Sequence, residues 1–465
     1  MTISRLLIVG GRRRRSPRVF ASVGLAFFIV ACGSDLRTAP HSKKSVSVED
    51  GDNQTGAATA PLRKPLVVRV VDEQGEPAAG AMVQWTTRDG GTFLPPASTT
   101  DDGGIAHTIW TLGAGAGRQH ARAVVDGSVG ADFAADAATE PGPTAAPVTL
   151  SLTTPDGSGQ TVHPDFVAMG GGWAFSHEYL LITPYPNGNA MFENPSIFEG
   201  TSPLAWAPPD GVKNPIASPL HGYLSDPDAV WVPETSELWV YYREVQAQND
   251  VYVLRSSDGV HFTAPRLVAS AQNHDLVSPA VVRRGPNDWM MWSVKSGVGC
   301  AAASTSVELR RSTNGLDWSA PTQVSLSQGG GYSPWHIDVQ WIPSRQEFWA
   351  VFNGKTPGSC TTPALFLATS ADGVTWKTFP SPILARGANR ELADVVYRST
   401  FSYDDAADAI DFWYSGARYD AGQYSWHTAY QRRTRGEVFA MAARASAALA
   451  ALAPRPGVPP LLDAP

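Results

Sequence analysis

Asp226 and Asp228 flank a proline in the stretch SDPDAVWVPETSELWVYYRE, residues 225–244, which ends on Glu244. Carboxylates this close suggest acid–base hydrolysis: one protonated group gives a proton to a leaving atom while an ionised partner acts as base or nucleophile. Five such stretches occur. Aligned by strand phase, Asp165, Asp338 and Asp394 fall where this one has Asp228, and Pro279 falls there in the remaining copy. Four carboxylates around one axis would repel one another if all were buried and charged. Backbone N–H donors, a shared proton or a cation would have to balance them. The plainer role for an aspartate at a strand start is to cap a turn, and repeats copy such caps.

Other groups converge on the same region. The loop TPYPNGNAMFENPS (183–196) carries Tyr185, Asn187, Glu193 and Asn194. Arg243, Glu244 and Arg418 lie at the ends of later strands, and Trp335 and His336 stand in SPWHID just before another. Acids, amides, arginines and a tryptophan together suit a sugar, whose hydroxyls bond to the polar groups while its C–H face stacks on the indole. The alternative for Trp335 is packing between repeats. No Cys/His zinc spacing, HExxH, phosphate-binding glycine loop or nucleophile elbow is present, so no catalytic metal or cofactor is expected. A central Ca²⁺ held by His336, Asp338 and Asp394 is the one cation the spacing suggests.

The elements that position these groups follow from repetition. PDFVAMGGGWAFSHEYLLITPYP, PDAVWVPETSELWVYYRE, SPAVVRRGPNDWMMWSVKSG, IDVQWIPSRQEFWAVFNG and ADVVYRSTFSYDDAADAIDFWYSGA each read as a strand, a polar turn and an aromatic strand. Three are followed by a third strand and a matching turn holding Gly259, Gly315 or Gly373 after Asp or Asn, the dipeptide that supplies the positive φ of a tight hairpin. Among 465 residues there are 43 Gly, 37 Pro and 15 Trp, which favours β-structure over helix. Five units of four short strands predict a five-bladed β-propeller over 148–434. VTLSLTT (148–154) is a spare strand that would complete the last blade. Residues 435–465 read as a helical, then Pro-rich, tail.

Upstream, RRRR and Arg18 precede VFASVGLAFFIVAC, a charged then apolar export signal over 1–31. IVAC resembles the lipobox of bacterial lipoproteins, which implies lipidation of Cys32 and a membrane-anchored protein of the cell envelope. Residues 32–60 read as a flexible tether and AATEPGPTAAP (137–147) as a Pro/Ala linker. Between them, at 61–136, PLVVRVVDEQGEPAAGAMVQWTT and STTDDGGIAHTIWTLG alternate as short strands and resemble bacterial Ig-like domains of the invasin/intimin type. That implies a spacer or adhesive module, with Trp85 and Trp110 in its core. The expected fold class is thus all-β: an Ig-like β-sandwich plus a five-bladed β-propeller. The formal charge is −7 and falls further once the arginine-rich signal is removed, which argues against nucleic acid as partner. With Cys32 lipidated, Cys300 and Cys360 remain, an even pair suited to a disulfide in an oxidising compartment.

The repeats and their Asp-Pro pairs resemble the five-bladed propellers of glycoside hydrolase families 32 and 43 across about 160–434. The resemblance implies Asp165 as base or nucleophile and Asp226 or Asp228 as the residue that orients or tunes. It departs at the proton donor: no EGP-like or EC-like segment opens the third or fourth repeat, so Glu193 or Glu244 would have to serve. Two readings follow. In one, a lipid-anchored envelope protein binds and hydrolyses a glycan with Asp165, Asp228, Glu193 and Glu244. In the other, the same funnel, lined by Tyr185, Asn187, Asn194, Asp226, Arg243, Trp335, His336, Asp338, Asp394 and Arg418, recognises carbohydrate or a cell surface without catalysis.

Overall fold

A computed structural model describes residues 44–62, 64–138, 146–170, 173, 175–327, 332–444, 452, 455–459 and 461. The signal, Cys32 and most of the linker lie outside them.

Two sheets form from residues 45–138. One runs in the order Ser45–Asp50, Leu66–Val71, Ile105–Thr111, Thr92–Leu94; the other runs Gln54–Ala57, Val129–Ala138, Gly117–Val125, Met82–Thr87, Ala97–Thr99. Strand alternation turns Leu66, Val68, Val70, Val83, Trp85, Trp110, Ala123, Val125 and Phe133 into one shared core. Strands occupy the second half of the stretch expected to be a tether, because Val46 pairs with Val70 and the register continues from there.

Five further sheets follow in chain order. Their inner strands are Thr161–Ala168, Tyr223–Val232, Val277–Gly285, Ser333–Ile342 and Val395–Asp404. Each inner strand packs against the next, and the fifth packs against the first. The fifth sheet takes its outermost strand from Val148–Thr149, which pairs with Tyr430 and Ala429 and so joins the start of the ring to its end. The turns with Gly259, Gly315 and Gly373 are built alike: Ser256, Ser312 and Ser370 each accept the glycine N–H at 2.9 Å. Helix Arg435–Ala442 starts at a capping box between Thr434 and Glu437 and packs Phe439 on Trp349 and Phe379. Among the described residues no helix is long and apolar enough to cross a membrane.

Side chains of the inner strands stitch the ring. Asp165 accepts the N–H of Ala229 at 2.7 Å, Asp228 that of Val281 at 2.9 Å and Asp338 that of Phe401 at 3.2 Å. Ser278 bonds Ile337, and Thr400 accepts the N–H of Phe166 at 3.2 Å. Every junction therefore has at least one side-chain-to-backbone clamp. Burial, reinforced by the neighbouring carboxyls, raises Asp165 and Asp228 well above the usual carboxylate range, and burial also raises Asp338. Replacing Asp228 by alanine is expected to cost about 1–3 kcal/mol, because the buried Val281 N–H loses its acceptor. Asparagine, whose carbonyl can accept the same bond, is expected to cost far less. Urea unfolding of the two variants measures the difference, and equal losses would show that the clamp is not what Asp228 contributes.

Candidate active site

All five inner strands carry a β-bulge near their start. In the first three it falls on His163-Pro164, Asp226-Pro227 and Ser278-Pro279, and the residue before each proline has φ of 54°, 53° and 52°. A non-glycine residue in the left-handed region costs about 1–3 kcal/mol and persists where its surroundings require it. Two residues before the clamps Asp165, Asp228, Asp338 and Thr400 stand His163, Asp226, His336 and Arg398, and the matching pre-proline position of the third strand is Ser278, itself a clamp. Alternation makes these a second ring on the same axis.

Three of them gather. One ligating atom each from His163, Asp226 and His336 lies within 4.8 Å of the others, and all three side chains are buried. His163 Nε2 is 3.5 Å and His336 Nδ1 3.2 Å from Asp226 Oδ1, yet none of these atoms makes a hydrogen bond. On its other edge His163 Nδ1 faces Glu193 Oε2 at 3.1 Å and Ser225 Oγ at 3.1 Å, and Ser225 donates to Glu193 at 2.6 Å. The Asp226 Oδ2 atom meets Arg243 at 2.9 Å and accepts the Ser278 N–H at 3.1 Å. Burial alone would raise Asp226, but Arg243, His163 and His336 together hold it well below the ordinary carboxylate range. Burial pushes His336 down to about 3, so its imidazole is neutral at physiological pH.

His163 and His336 of this cluster line a pocket of about 60 Å³. Glu193 reaches it from the turns Pro186–Gly188 and Ala190–Phe192, and its carbonyl accepts the Leu224 N–H at 3.0 Å. Tyr185, Trp335, Tyr397 and Trp426 form aromatic walls. Trp335 Nε1 donates to the Tyr397 hydroxyl at 3.1 Å, and the Tyr397 ring lies 4.5 Å from that of His336. The rim is tied by a disulfide between Cys300 and Cys360, with Cα atoms 4.8 Å apart.

The structure divides the sequence candidates. Glu193, Tyr185, Asp226, Arg243, Trp335 and His336 come together. Asp165, Asp228 and Asp338 lie one layer further along the inner strands, on a separate opening of about 280 Å³, so Asp165 and Glu193 do not share a pocket. Glu244 is turned away: its carboxylate accepts the N–H groups of Leu220 and His221 at 2.9 and 2.8 Å. Asn187 is exposed in a turn bonded to Gln160, Asn194 donates to the Phe192 carbonyl, and Arg418 pairs with Asp420. Asp394 is not in phase with the other aspartates, since Thr400 holds that position, and it lines a different pocket. The His336, Asp338, Asp394 set expected for Ca²⁺ is therefore not assembled. A second carboxylate group that is assembled, Asp165 with Asp228 and Asp338, is the one used as clamps. Sequence reasoning missed His163, Ser225, Tyr397 and Arg398. The signal for His163 was available, because it precedes a proline just as Asp226 does.

No family model matches the chain. It is 29% identical over 315 residues to the A type blood N-acetyl-alpha-D-galactosamine deacetylase of Flavonifractor plautii, a match covering 56% of this chain and 40% of that protein. The chain thus spans less than half the length of that relative. The crystal structure of an N-acetylgalactosamine deacetylase from F. plautii in complex with blood group B trisaccharide shares the fold, with a TM-score of 0.58 at 23% identity over 63% of this chain and 96% of that one. An alpha-L-arabinanase of Penicillium chrysogenum complexed with arabinobiose is more distant, at a TM-score of 0.42 and 10% identity over 63% of this chain and 98% of that one.

Proposed function

We propose that this chain removes the acetyl group from an N-acetylated hexosamine at the end of a glycan. The carrying observation is the cluster of His163, Asp226 and His336. One ligating atom from each lies within 4.8 Å of the others in a buried site, with the imidazole nitrogens 3.5 and 3.2 Å from Asp226 Oδ1. Two imidazoles and one carboxylate suit a divalent transition metal. Such an ion would supply Lewis-acid polarisation of an amide carbonyl.

The chain's own groups then have definite roles. With Nδ1–H directed at Glu193, His163 presents the lone pair of Nε2 to the cluster, the carboxylate-to-histidine arrangement that fixes a ligating tautomer. Arg243 keeps Asp226 ionised. Tyr397 stays a phenol, because burial raises it well above its usual value, so its hydroxyl can donate to the oxygen on which charge develops. The pocket would take the acetamido group, with the sugar ring against the aromatic walls of Tyr185, Trp335, Tyr397 and Trp426. The relative named a deacetylase supports the same chemistry.

Around this site we place a five-bladed propeller made of the five sheets, an Ig-like spacer made of the two N-terminal sheets, and a lipid anchor on Cys32 at the cell envelope. Loss of labelled-lipid incorporation in Cys32→Ser is the expected outcome for the anchor; unchanged incorporation would remove it.

Glycosidic hydrolysis is the second reading, favoured by the pocket carboxylate Glu193 and the buried carboxylate Asp226 close to it. One assay separates the two. Purified protein is supplied with Mn²⁺ or Zn²⁺ and a glycan ending in N-acetylgalactosamine, and both acetate and free sugar are measured. Acetate without sugar is expected. Sugar without acetate would overturn the deacetylase reading in favour of glycosidase, and neither product in favour of recognition alone.

A further inference from the structure

Beside the candidate site lies a second pocket of about 180 Å³. Its floor is Leu452, Val458 and Pro459, from the segment that follows the helix. That segment is fastened in several ways. Arg455 pairs with Asp394 at 2.7 Å and donates to the Tyr419 carbonyl at 2.9 Å, Tyr424 donates to the Pro459 carbonyl at 2.6 Å, and Arg386 donates to the Leu452 carbonyl. The Leu461 N–H meets Thr361 Oγ1 at 3.3 Å. The two pockets share their partition. Ser359 and Thr361 face the second while Cys360 faces the first, and Val458 and Pro459 face the second while Leu461 faces the first.

The second pocket has the chemistry of a sugar subsite. Asp394 is 2% exposed; its Oδ2 accepts the Tyr419 N–H at 2.8 Å, but its Oδ1 has no hydrogen-bond partner. A buried carboxylate oxygen left unpaired costs stability unless something supplies a donor, and adjacent sugar hydroxyls are suitable donors. Arg386 offers a donor on the same wall, Tyr332 an aromatic ring, and Val458 with Pro459 an apolar surface for ring C–H groups. We infer that this pocket binds one neutral pyranose, the unit next to the sugar whose acetamido group enters the first pocket. The inference rests on the glycan reading above but not on the cation. It also gives a use to the bonds that hold Leu452, Arg455, Pro459 and Leu461, since Leu452, Val458 and Pro459 line this pocket.

The test uses the full chain and calorimetric titration with blood group B trisaccharide, which carries no acetamido group, and with N-acetyl-D-galactosamine. The variants are Asp394→Asn and Tyr332→Ala, each checked by thermal melting against the parent. Trisaccharide affinity is expected to fall by at least about tenfold in both, the loss of one charge-assisted hydrogen bond or one stacking surface. Affinity for the monosaccharide is expected to change little. Because Asp394 also holds Arg455, Tyr332→Ala keeps the result readable should the first variant melt early. Parent-like trisaccharide binding in both variants would overturn the subsite, as would no trisaccharide binding by the parent. Titration in the presence of EDTA separates this outcome from the deacetylase reading. Trisaccharide binding that persists with chelator, in a protein that never releases acetate, would sink that reading and leave the subsite standing.

Discussion

Replacing His336 by alanine is expected to lower acetate release by at least about 10²–10³-fold, the range seen when a group stabilising developing charge is removed. The chain should remain folded, since the imidazole makes no hydrogen bond that holds the ring together. His163→Ala should act alike at the level of catalysis. Cation affinity offers a readout independent of turnover. Titration of Mn²⁺ or Zn²⁺ into the parent should show one site, and His336→Ala should lose it. Glu193→Gln should weaken it by about 10–100-fold, because Glu193 faces His163 Nδ1 at 3.1 Å and fixes its orientation from behind. The graded order decides between roles. A ligand lost removes the site, an orienting group lost weakens it, and a group of no consequence leaves it unchanged. Full affinity in His336→Ala would exclude the cluster as a cation site whatever the activity. Binding with normal affinity but no acetate release by the parent would keep the cation and move the chemistry elsewhere.

The ring of sheets was legible because its local signals agree: strand periodicity, aromatic second strands and the Asp-Gly or Asn-Gly turns recur together. The pairing of Cys300 with Cys360 was legible from their matching places in neighbouring repeats. The site was less so, for reasons that lie in particular residues. Alternation puts His163 and Asp165 on one face, as it does Asp226 and Asp228. Residue type and strand phase single out the second member of each pair, and the second member is a clamp. The first member sits at a bulge, where one extra residue breaks the ladder and re-aims a side chain, and no composition signal marks that. Asp394 was chosen by aligning it in phase with the other aspartates, whereas the clamp position needs only an acceptor and in the fifth strand is Thr400. Glu244 was chosen for its place at the end of a second strand, as was Arg243, although neighbours on a strand face opposite ways; Arg243 takes the pocket, and Glu244 is spent on Leu220 and His221. Tyr397 and Arg398 follow Asp394, the acid at the start of their strand, and carried no signal of their own.

The largest effect on stability is expected from Asp226→Ala. Asp226 is fully buried, with Arg243 at 2.9 Å and the Arg398 guanidinium at 3.8 Å. Arg398 is itself fully buried, makes no hydrogen bond from its guanidinium, and lies between Asp226 in one layer and Asp165, at 3.9 Å, in the next. Removing one partner from such a group leaves charge uncompensated in a low-dielectric interior, at a cost of about 3–5 kcal/mol. The Ser278 N–H loses its acceptor at the same time, and this N–H belongs to the third inner strand, so the damage spreads along the ring. A double-mutant cycle with Arg243→Met tests the account. If the cost comes from stranding a cation, Asp226→Ala should be much less harmful once Arg243 is gone, and the pair should lose less than the two single losses added together. If the costs simply add, Asp226 stabilises the ring through the Ser278 bond alone. The cycle also bears on function: a side chain that balances two buried arginines and faces two imidazoles is restrained on every side, and a preorganised anion of that kind is what a cation site requires.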